Sequence, residues 1–275
     1  MADASIESSE ATSRADELEG ELPKLDLLDY LIYPPFFFAF LGTLLFFELL
    51  FRVAQFRPMA VRERVAAAFN RWVVRTLYLV GVRVRYDNHR EYPTGRPYLI
   101  VSNHQSMFDI SILHQAFAAH RPKFVAKKEL SRGIPGVSIC LRTEGAALID
   151  RSNPRQAIPA IQELGKRMAE EHFSVILFPE GTRARRGKMK AFKSGGMLNL
   201  LKKAPDVQII PAALDGSWKI AGRKLGPVPR GTLLHVKFGE PISCAELGLA
   251  EAARQAEHQV RTLLQEIRQE EQAGS

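Results

Sequence analysis

Strand-like and helix-like segments alternate along the chain after residue 80, and this alternation constrains the fold more than any other feature. Short apolar runs predict buried strands, and longer segments with helical spacing of apolar residues predict helices. The predicted strands are Val82–Tyr86, Tyr98–Ser102, Lys123–Ala126, Ala146–Ile149, Ser174–Phe178, Gln208–Ala212 and Leu233–Phe238. The predicted helices are Ile110–Ala119, Pro154–Glu171, Gly195–Lys203 and Ala245–Glu270, with Asn153 capping the second. This order predicts an α/β fold, a single domain with a mixed, mostly parallel sheet flanked by helices.

Hydrophobic membrane-anchoring helices are expected at the N-terminus, where the stretch Tyr30–Phe51 is apolar enough to enter a bilayer. Its length is close to the ~20 residues that span a bilayer core. Pro34-Pro35 is expected to interrupt a helix early, and Glu48 is costly in lipid. The sequence leaves open a single span or a hairpin embedded in one leaflet. The next segment, Val61–Val80, has the spacing of an amphipathic, arginine-rich helix, which fits either a membrane surface or packing on the rest of the protein.

Charge is distributed unevenly along the 275 residues. The first 31 residues hold nine acids and two bases, so the remainder carries 36 bases against 21 acids. A protein with this excess of positive charge is expected to attract anionic lipid, phosphate-bearing ligands or nucleic acid. Arginines directly after the apolar stretch place the downstream part of the chain in the cytoplasm. We predict a disordered acidic tail over residues 1–25, a membrane anchor with an amphipathic helix over 26–80, and the α/β domain over 81–275.

A histidine and an acid follow the second predicted strand directly, in the segment Asn103–Asp109. Five positions on a helix rotate by ~140°, so His104 and Asp109 can meet only if the chain turns between them. The four residues from Ser106 have the form of a helix-capping signal, which places His104 in a loop and Asp109 in the first helical turn. An acid that accepts a hydrogen bond from one ring nitrogen leaves the other nitrogen basic. The same residues also fit a plain helix cap beside a loop histidine.

An arginine-bearing turn, Phe178–Arg183, follows another strand-like run. Ligands bind at the carboxyl ends of strands in α/β sheets, and a guanidinium can bind two phosphate oxygens at once. The two strand ends together suggest proton abstraction beside a phosphate. Taken alone, the second segment also fits an ordinary tight turn with a solvated arginine.

The remaining histidines, serines and cysteines do not support a metal centre or a hydrolase. No two-histidine, one-acid helix spacing occurs, so no metal is expected. No G-x-S-x-G elbow follows an apolar run, and neither Cys140 nor Cys244 has a nucleophile signature. No nucleic-acid partner is expected, because the basic residues lack interleaved aromatics. A histidine base without an enzyme nucleophile points to direct activation of a substrate hydroxyl.

Four segments occur in a characteristic order along the chain: Asn103–Asp109, Lys127–Arg151, Phe178–Arg183 and Ile210–Ala212. Together they resemble the glycerolipid acyltransferase family, over the region from Arg85 to Pro241. Ala147 and Ala184 depart from the family pattern, but neither departure removes a chemical group that the implied mechanism needs.

The resemblance implies an enzyme that moves a fatty acyl chain from an acyl thioester to the free hydroxyl of 1-acyl-glycerol-3-phosphate, forming phosphatidic acid. His104 would take the hydroxyl proton, Asp109 would orient and stabilise the imidazolium, and backbone N–H groups would stabilise the oxyanion. The implied substrate-binding residues are Asn103, Ser106, Lys127, Arg151, Glu180, Gly181, Thr182 and Arg183.

No cofactor is expected beyond the co-substrate, which would be acyl-CoA or acyl carrier protein. The expected partners are the membrane lipid substrate, the acyl donor and an anionic membrane surface, with the catalytic domain facing the cytoplasm. A basic cluster between Arg183 and Lys193 fits donor phosphates, lipid head groups or a solvated loop. Another lysolipid acceptor is the alternative within this class, and a non-catalytic basic membrane-binding protein is the rival from another class.

Overall fold

The computed structural model of the chain describes residues 20–223 and 226–273. Its strands are β1 (Arg83–Asp87), β2 (Tyr98–Ser102), β3 (Lys123–Lys127), β4 (Ala147–Ile149), β5 (Val175–Leu177), β6 (Gln208–Asp215), β7 (Leu233–Phe238) and β8 (Ile242–Ser243). Its helices are α1 (Leu27–Ala54), α2 (Met59–Leu77), α3 (Asp109–Ala116), α4 (Val137–Thr143), α5 (Pro154–Glu171), α6 (Ser194–Leu201), α7 (Ser217–Ala221), α8 (Cys244–Leu247) and α9 (Leu249–Ala273). Short 3-10 turns cover Tyr78–Val80, Ala118–His120 and Lys128–Ser131.

The strands form one mixed sheet in the order β1-β7-β6-β2-β5-β3-β4, and β8 pairs with β6. Five neighbouring strands, β6, β2, β5, β3 and β4, run parallel to one another. Strand β7 runs antiparallel to β6, and β1 runs parallel to β7. The predicted mixed, mostly parallel sheet is therefore confirmed. Because the five central strands share one direction, the loops that follow them meet at a single edge of the sheet.

Helices cover both faces of the sheet, and the central strand β2 shows why. All five of its side chains are buried, as expected for a strand between two helical layers. Tyr98 and Ile100 pack in the cluster that contains residues of α1, α2 and α3. Leu99 and Val101 point the other way, into the cluster formed with α5 and α6. Each such side chain contributes about 1.5–3 kcal/mol of burial free energy, so β2 fixes the position of the loop that follows it.

Helix α1 runs without a break through Pro34 and Pro35, so the expected early interruption is wrong. Its first turn is fastened by a capping box in which the side chains of Asp26 and Asp29 each accept the other residue's backbone N–H, at 3.0 and 2.9 Å. Arg230 adds a backbone N–H to Asp29 at 3.0 Å and a guanidinium contact to Asp26. These contacts stabilise the first turn of the helix that carries the two prolines.

The two N-terminal helices pack against the sheet domain. Phe47 and Phe51 of α1 are buried against Phe69 of α2, with ring centroids 5.5 and 5.7 Å apart. The same hydrophobic cluster continues into the sheet at Ile100. Packing on the rest of the protein is thus the interpretation that fits α2. The predicted limits at residues 25 and 80 stay predictions, and residues 1–19 of the predicted tail lie outside the described residues.

Most predicted elements agree with the structure to within a few residues. The strands β2 and β7 and the helix α5 have the predicted bounds, and Asn153 caps α5 by accepting the backbone N–H of Gln156. Three short elements, β8, α4 and α7, were not predicted. Each has at most seven residues, which is too short for a periodic pattern to be read from the sequence.

Candidate active site

His104 and Asp109 meet at the carboxyl end of β2, as the turn between them predicts. The Nδ1 atom of His104 lies 2.8 Å from Oδ2 of Asp109, and the imidazole stacks on Phe178 with centroids 4.2 Å apart. Asp109 is fully buried, whereas the His104 side chain is 12% exposed. Since Nδ1 is held by the carboxylate, Nε2 is the ring nitrogen left for a substrate.

The Asp109 carboxylate is held by several donors besides the imidazole. Its Oδ2 accepts the backbone N–H groups of Gln105 at 2.6 Å and Ser106 at 2.8 Å. Its Oδ1 accepts the hydroxyls of Ser106 at 2.9 Å and Ser217 at 2.5 Å. Burial alone would raise the pKa of Asp109, but the hydrogen bonds from His104, Ser217 and Ser106 outweigh it and hold the pKa below its usual value. The carboxylate therefore stays ionised beside the imidazole.

Ser106 does not cap α3 in the way the sequence suggests. The residue at the N-cap position is Phe108, and its side chain makes no capping hydrogen bond. The Ser106 hydroxyl instead accepts the backbone N–H of Phe108 at 3.1 Å while donating to Asp109. The predicted turn is present, and it is built around the carboxylate rather than around a helix cap.

Glu180 connects the two strand-end loops. Its Oε1 accepts the backbone N–H of His104 at 2.7 Å, and its Oε2 accepts the backbone N–H of Lys190 at 2.9 Å. The loops also meet where Ala184 donates its N–H to the His104 carbonyl at 2.7 Å. Burial raises the pKa of Glu180 to about 7, although the two backbone donors act in the opposite direction. Glu180 thereby fixes the position of the His104 backbone relative to the arginine-bearing loop.

A cavity of about 1540 Å³ opens beside His104. Most of its wall is apolar and comes from α1, α2, β3 and the loop before α4. The apolar lining includes Phe40, Leu44, Phe69, Val73, Met107, Phe108, Phe124, Ile134, Val137 and Leu141. The charged part of the lining is mainly cationic, with the acids Glu129 and Asp150 beside the cations, and we refer to it as the cationic end. Its cations are Lys127, Arg151, Arg183, Arg185, Arg186, Lys188 and Lys190. A molecule with an acyl chain and a phosphate matches both ends.

The cationic end is shaped by contacts within the arginine-bearing loop. Arg151 donates to the carbonyl of Gly181, and Gly181 has a φ of +72°, in the left-handed region that favours glycine. Lys190 donates to the hydroxyl of Thr182 at 2.7 Å and to the carbonyl of Arg183 at 3.3 Å. These contacts leave the Arg183 guanidinium exposed on the cavity wall.

Nine of the ten predicted site residues fall into two groups, and the tenth, Gly181, is half-buried and accepts a hydrogen bond from Arg151. Those on the cavity wall are His104, Lys127, Arg151, Thr182 and Arg183. Behind the wall, at most 1% exposed, lie Asn103, Ser106, Asp109 and Glu180. Asn103 exchanges two hydrogen bonds with the backbone of Leu214, at 2.7 and 2.8 Å, which ties β2 to β6. The predicted substrate contacts stay predictions, and the observed partners of the buried residues are protein groups.

Sequence reasoning missed a group of residues at the junction of β6 and α7. Ser217 donates to Asp109, and Gln105 donates to Asp215 at 2.8 Å. The one signal that could have found them is their position, because they follow the end of a predicted strand that lies beside β2. Their residue types alone carry no such signal.

One group among the described residues has the donor types of a metal site. The ligand atoms of Asp87, His235 and Glu270 lie within 4.8 Å of one another. Arg85 pairs with Asp87 at 2.8 Å, and Lys237 pairs with Glu270 at 2.7 Å. Because both carboxylates already have a cationic partner, the group fits an ion-pair network better than a cation site.

Comparison with known proteins agrees with this geometry. A family model described as "Acyltransferase" matches residues 83–215, which contain the dyad, the arginine-bearing turn and β6. This segment of the chain belongs to the acyltransferase family. The matched segment begins at β1 and ends at Asp215, so α1 and α2 lie outside it.

Several relatives carry the name 1-acyl-sn-glycerol-3-phosphate acyltransferase. The alpha form of sheep (Ovis aries) is 32% identical over 134 residues, 48% of this chain and 46% of the relative. The human beta form is 34% identical over 141 residues, 51% of this chain and 49% of the relative. The alpha form of mouse is 30% identical over 197 residues, 69% of this chain and 66% of the relative. The chain thus spans about half the length of most of these relatives.

A solved structure has the same fold. The 1-acyl-sn-glycerophosphate (LPA) acyltransferase PlsC from Thermotoga maritima superposes with a TM-score of 0.70 at 24% identity. The match covers 88% of this chain and 97% of that one. The two proteins therefore share one fold over most of this chain.

Proposed function

We propose that this protein transfers a fatty acyl chain from an acyl thioester to the free hydroxyl of 1-acyl-glycerol-3-phosphate, producing phosphatidic acid. The observation that carries the proposal is the position of His104. Its ring, oriented by buried Asp109, lies on the wall of a cavity that is apolar at one end and cationic at the other. The names of the relatives support the same substrate class.

The geometry supports a direct transfer between the two substrates. Nε2 of His104 accepts the hydroxyl proton while the alkoxide oxygen bonds to the thioester carbonyl carbon, whose π electrons move to oxygen. The tetrahedral intermediate then expels the thiolate as the C–S bond breaks, and the imidazolium returns the proton to sulfur. Asp109 stabilises the imidazolium between these steps, because its ionised carboxylate lies 2.8 Å from Nδ1.

The two ends of the cavity would hold the two kinds of substrate group. The acyl chain would lie against the phenylalanine and leucine side chains of α1 and α2, which exclude water from the reacting carbonyl. The acceptor phosphate would lie near Arg183, whose planar guanidinium binds two oxygens at once. A charged phosphate at the cationic end orients the free hydroxyl towards His104.

The donor is proposed to be a thioester on an anionic carrier, either acyl-CoA or acyl carrier protein. Arg185, Arg186 and Lys188 follow the acceptor arginine along the cavity wall and would meet such a carrier. Helix α1 is long and apolar enough, by length and composition, to associate with a membrane. We propose that the α/β domain lies on the cytoplasmic side, where the arginines after α1 meet anionic lipid.

One acyl-transfer assay with a panel of acceptors tests the proposal. The full-length protein in detergent is supplied with a radiolabelled acyl thioester, either acyl-CoA or acyl carrier protein. The acceptors are 1-acyl-glycerol-3-phosphate, a lysophosphatidylcholine and a lyso-aminolipid. We expect the highest kcat/KM with 1-acyl-glycerol-3-phosphate, because its phosphate is not blocked by a head group. A higher kcat/KM with another acceptor, or no transfer with either donor, contradicts the proposal.

A further inference from the structure

The first residue of α7, directly after the turn that follows β6, places a hydroxyl beside the catalytic carboxylate. Ser217 is fully buried, and its Oγ lies 2.5 Å from Oδ1 of Asp109 across 108 residues of sequence. The preceding residue, Gly216, has a φ of +87°, and a Cβ there would lie 2.1 Å from the carbonyl oxygen of Leu233. Only glycine fits this turn, and the turn aims Ser217 at the dyad.

The other described donors to Asp109 are local. The backbone N–H groups of Gln105 and Ser106, the Ser106 hydroxyl and the His104 ring all lie within five residues of it. These groups would move together if the loop shifted. Among the described residues, Ser217 is the donor that ties Asp109 to a different strand of the sheet.

A second set of hydrogen bonds continues from this point to the C-terminal helix. Gln105 donates to Oδ1 of Asp215 at 2.8 Å, and Trp218 donates its indole N–H to the same atom at 3.2 Å. Arg268 of α9 donates to Oδ2 of Asp215 at 2.9 Å and to the carbonyl of Gly187 at 2.6 Å. Asp215 is buried, so its charge needs this arginine.

The far end of these contacts lies in the cationic loop. Gly187 has a φ of +80°, and a Cβ there would lie 2.8 Å from the indole nitrogen of Trp218. The neighbouring side chains of Arg186 and Lys188 line the cavity. Arg268 thus contacts both the loop that carries the cations and the loop that carries Ser217.

We propose that Ser217 is a positioning residue for the catalytic dyad, held in place by the Asp215–Arg268 pair of the C-terminal helix. The inference rests on the proposed function, since its effect appears in acyl transfer. Ser217 fixes Asp109 against β6, and Arg268 fixes the end of β6 against α9 and Gly187. The orientation of the His104 ring therefore depends on Arg268 of α9, whose hydrogen bonds go to Asp215 and Gly187 rather than to the dyad itself.

Replacing the hydroxyl tests the first half of the proposal. Ser217→Ala should lower kcat roughly tenfold to a hundredfold, the effect of losing a hydrogen bond to a charged group, while both substrate KM values change less than about threefold. The matched control is Ser174→Ala, because Ser174 is also fully buried and accepts the backbone N–H of Tyr98 at the opposite edge of the sheet. The control should leave kcat per folded molecule within about twofold of the wild type. Equal kcat losses in the two variants, or none in Ser217→Ala, overturn the proposal.

A double variant tests the second half. If Arg268 acts through Ser217, Arg268→Gln should lower kcat in the wild type but add little in the Ser217→Ala background. If the loss of kcat in the double variant equals the product of the two single-variant losses, this part of the proposal is overturned. The kcat values are taken per folded molecule, so that loss of folded protein does not count as loss of catalysis.

A spectrum of the resting protein separates this inference from the proposed function. In protein labelled with ¹⁵N-histidine, the Nδ1 proton of His104 is assigned by its loss in Asp109→Asn. We expect Ser217→Ala to shift this resonance and Ser174→Ala to leave it in place. A wild type that transfers no acyl group overturns the proposed function, while the spectrum still decides whether Ser217 positions the dyad. An unchanged resonance in Ser217→Ala overturns the inference.

Discussion

At the scale of single residues, Glu180 shows how burial and hydrogen bonding compete. Its side chain is 1% exposed, and it accepts two backbone N–H groups at the junction of the two catalytic loops. Burial outweighs these donors and raises the pKa of Glu180 from 4.5 to about 7. The carboxyl group therefore binds its proton more tightly in the folded protein than in the unfolded chain.

This shift predicts a pH-dependent stability. A raised carboxyl pKa contributes to the free energy of unfolding. This contribution is fully present below about pH 4.5 and is lost as the pH rises through about 7. Glu180→Gln removes the titration, so from about pH 5 to about pH 8 the variant should gain up to about 3 kcal/mol of unfolding free energy relative to the wild type. Thermal unfolding in detergent measures the difference, with exposed Glu246→Gln as the control. A difference that stays constant across this range contradicts the assignment.

Arg183 carries the proposed recognition of the acceptor phosphate. Arg183→Lys keeps the charge but loses the planar fork, so the acceptor KM should rise about tenfold or more, the effect of losing a charge-assisted hydrogen bond. The thioester KM should change less. Steady-state kinetics with each substrate varied separately measures both values, and Arg254→Lys on the exposed face of α9 is the control. A rise confined to the thioester KM would assign this site to the donor, and no change would make Arg183 a solvated turn residue.

At the scale of elements, one close contact joins α1 to the loop before α4. Glu48 of α1 accepts the backbone N–H of Gly136 at 2.9 Å and pairs with Arg52 at 2.8 Å. Gly136 has a φ of +70°, and a Cβ there would lie 2.8 Å from the carbonyl oxygen of Leu44. The acid that is costly in lipid thus has a structural partner, because it ties α1 to the loop before α4.

Two glycines of this loop allow a matched test. Gly133→Ala and Gly136→Ala both place a side chain at positive φ, which costs about 1–2 kcal/mol. Gly133 has open space around it, whereas the Gly136 variant must also push α1 away, at a further cost of about 1–3 kcal/mol. Unfolding midpoints should therefore be lower for Gly136→Ala than for Gly133→Ala. Equal midpoints would mean that α1 is not held at this point.

The sequence predicts local chemistry better than contacts between distant segments. His104 and Asp109 lie five residues apart, so a turn between them could be inferred from spacing alone. Ser217, Asp215 and Arg268 approach the dyad only after β6 and α9 have packed, and their separations along the chain leave no pattern. Arg230 likewise reaches the first turn of α1 across 201 residues, a contact that no local pattern predicts.

At the scale of the whole molecule, α1 has two different faces. Phe36, Phe47 and Phe51 are buried against the body, while Phe38 and Leu49 are 69% and 65% exposed. An apolar face without a protein cover among the described residues is typical of a membrane or protein contact. Because the buried face belongs to the main hydrophobic cluster, the helix contributes to the fold as well as to the proposed anchoring.

Charged substitutions on the exposed face of α1 should separate its contribution to the fold from its contribution to membrane anchoring. The double substitution Phe38→Glu and Leu49→Glu should release the full chain from membranes into a high-salt wash, while its unfolding midpoint stays close to that of the wild type. Leu247→Glu, at an exposed position on α8, is the control and should stay membrane-bound. Retention of the double variant after alkaline carbonate extraction would mean that another surface contacts the membrane.

The most direct measurement is acyl transfer to 1-acyl-glycerol-3-phosphate by the wild type and by His104→Ala. If Nε2 of His104 takes the hydroxyl proton, the variant should lose ~10²–10⁴-fold in kcat while keeping its unfolding midpoint. Asp109→Asn should be similarly impaired, because an amide can hold the wrong ring tautomer. A folded His104→Ala protein with kcat within a few-fold of the wild type would contradict the account.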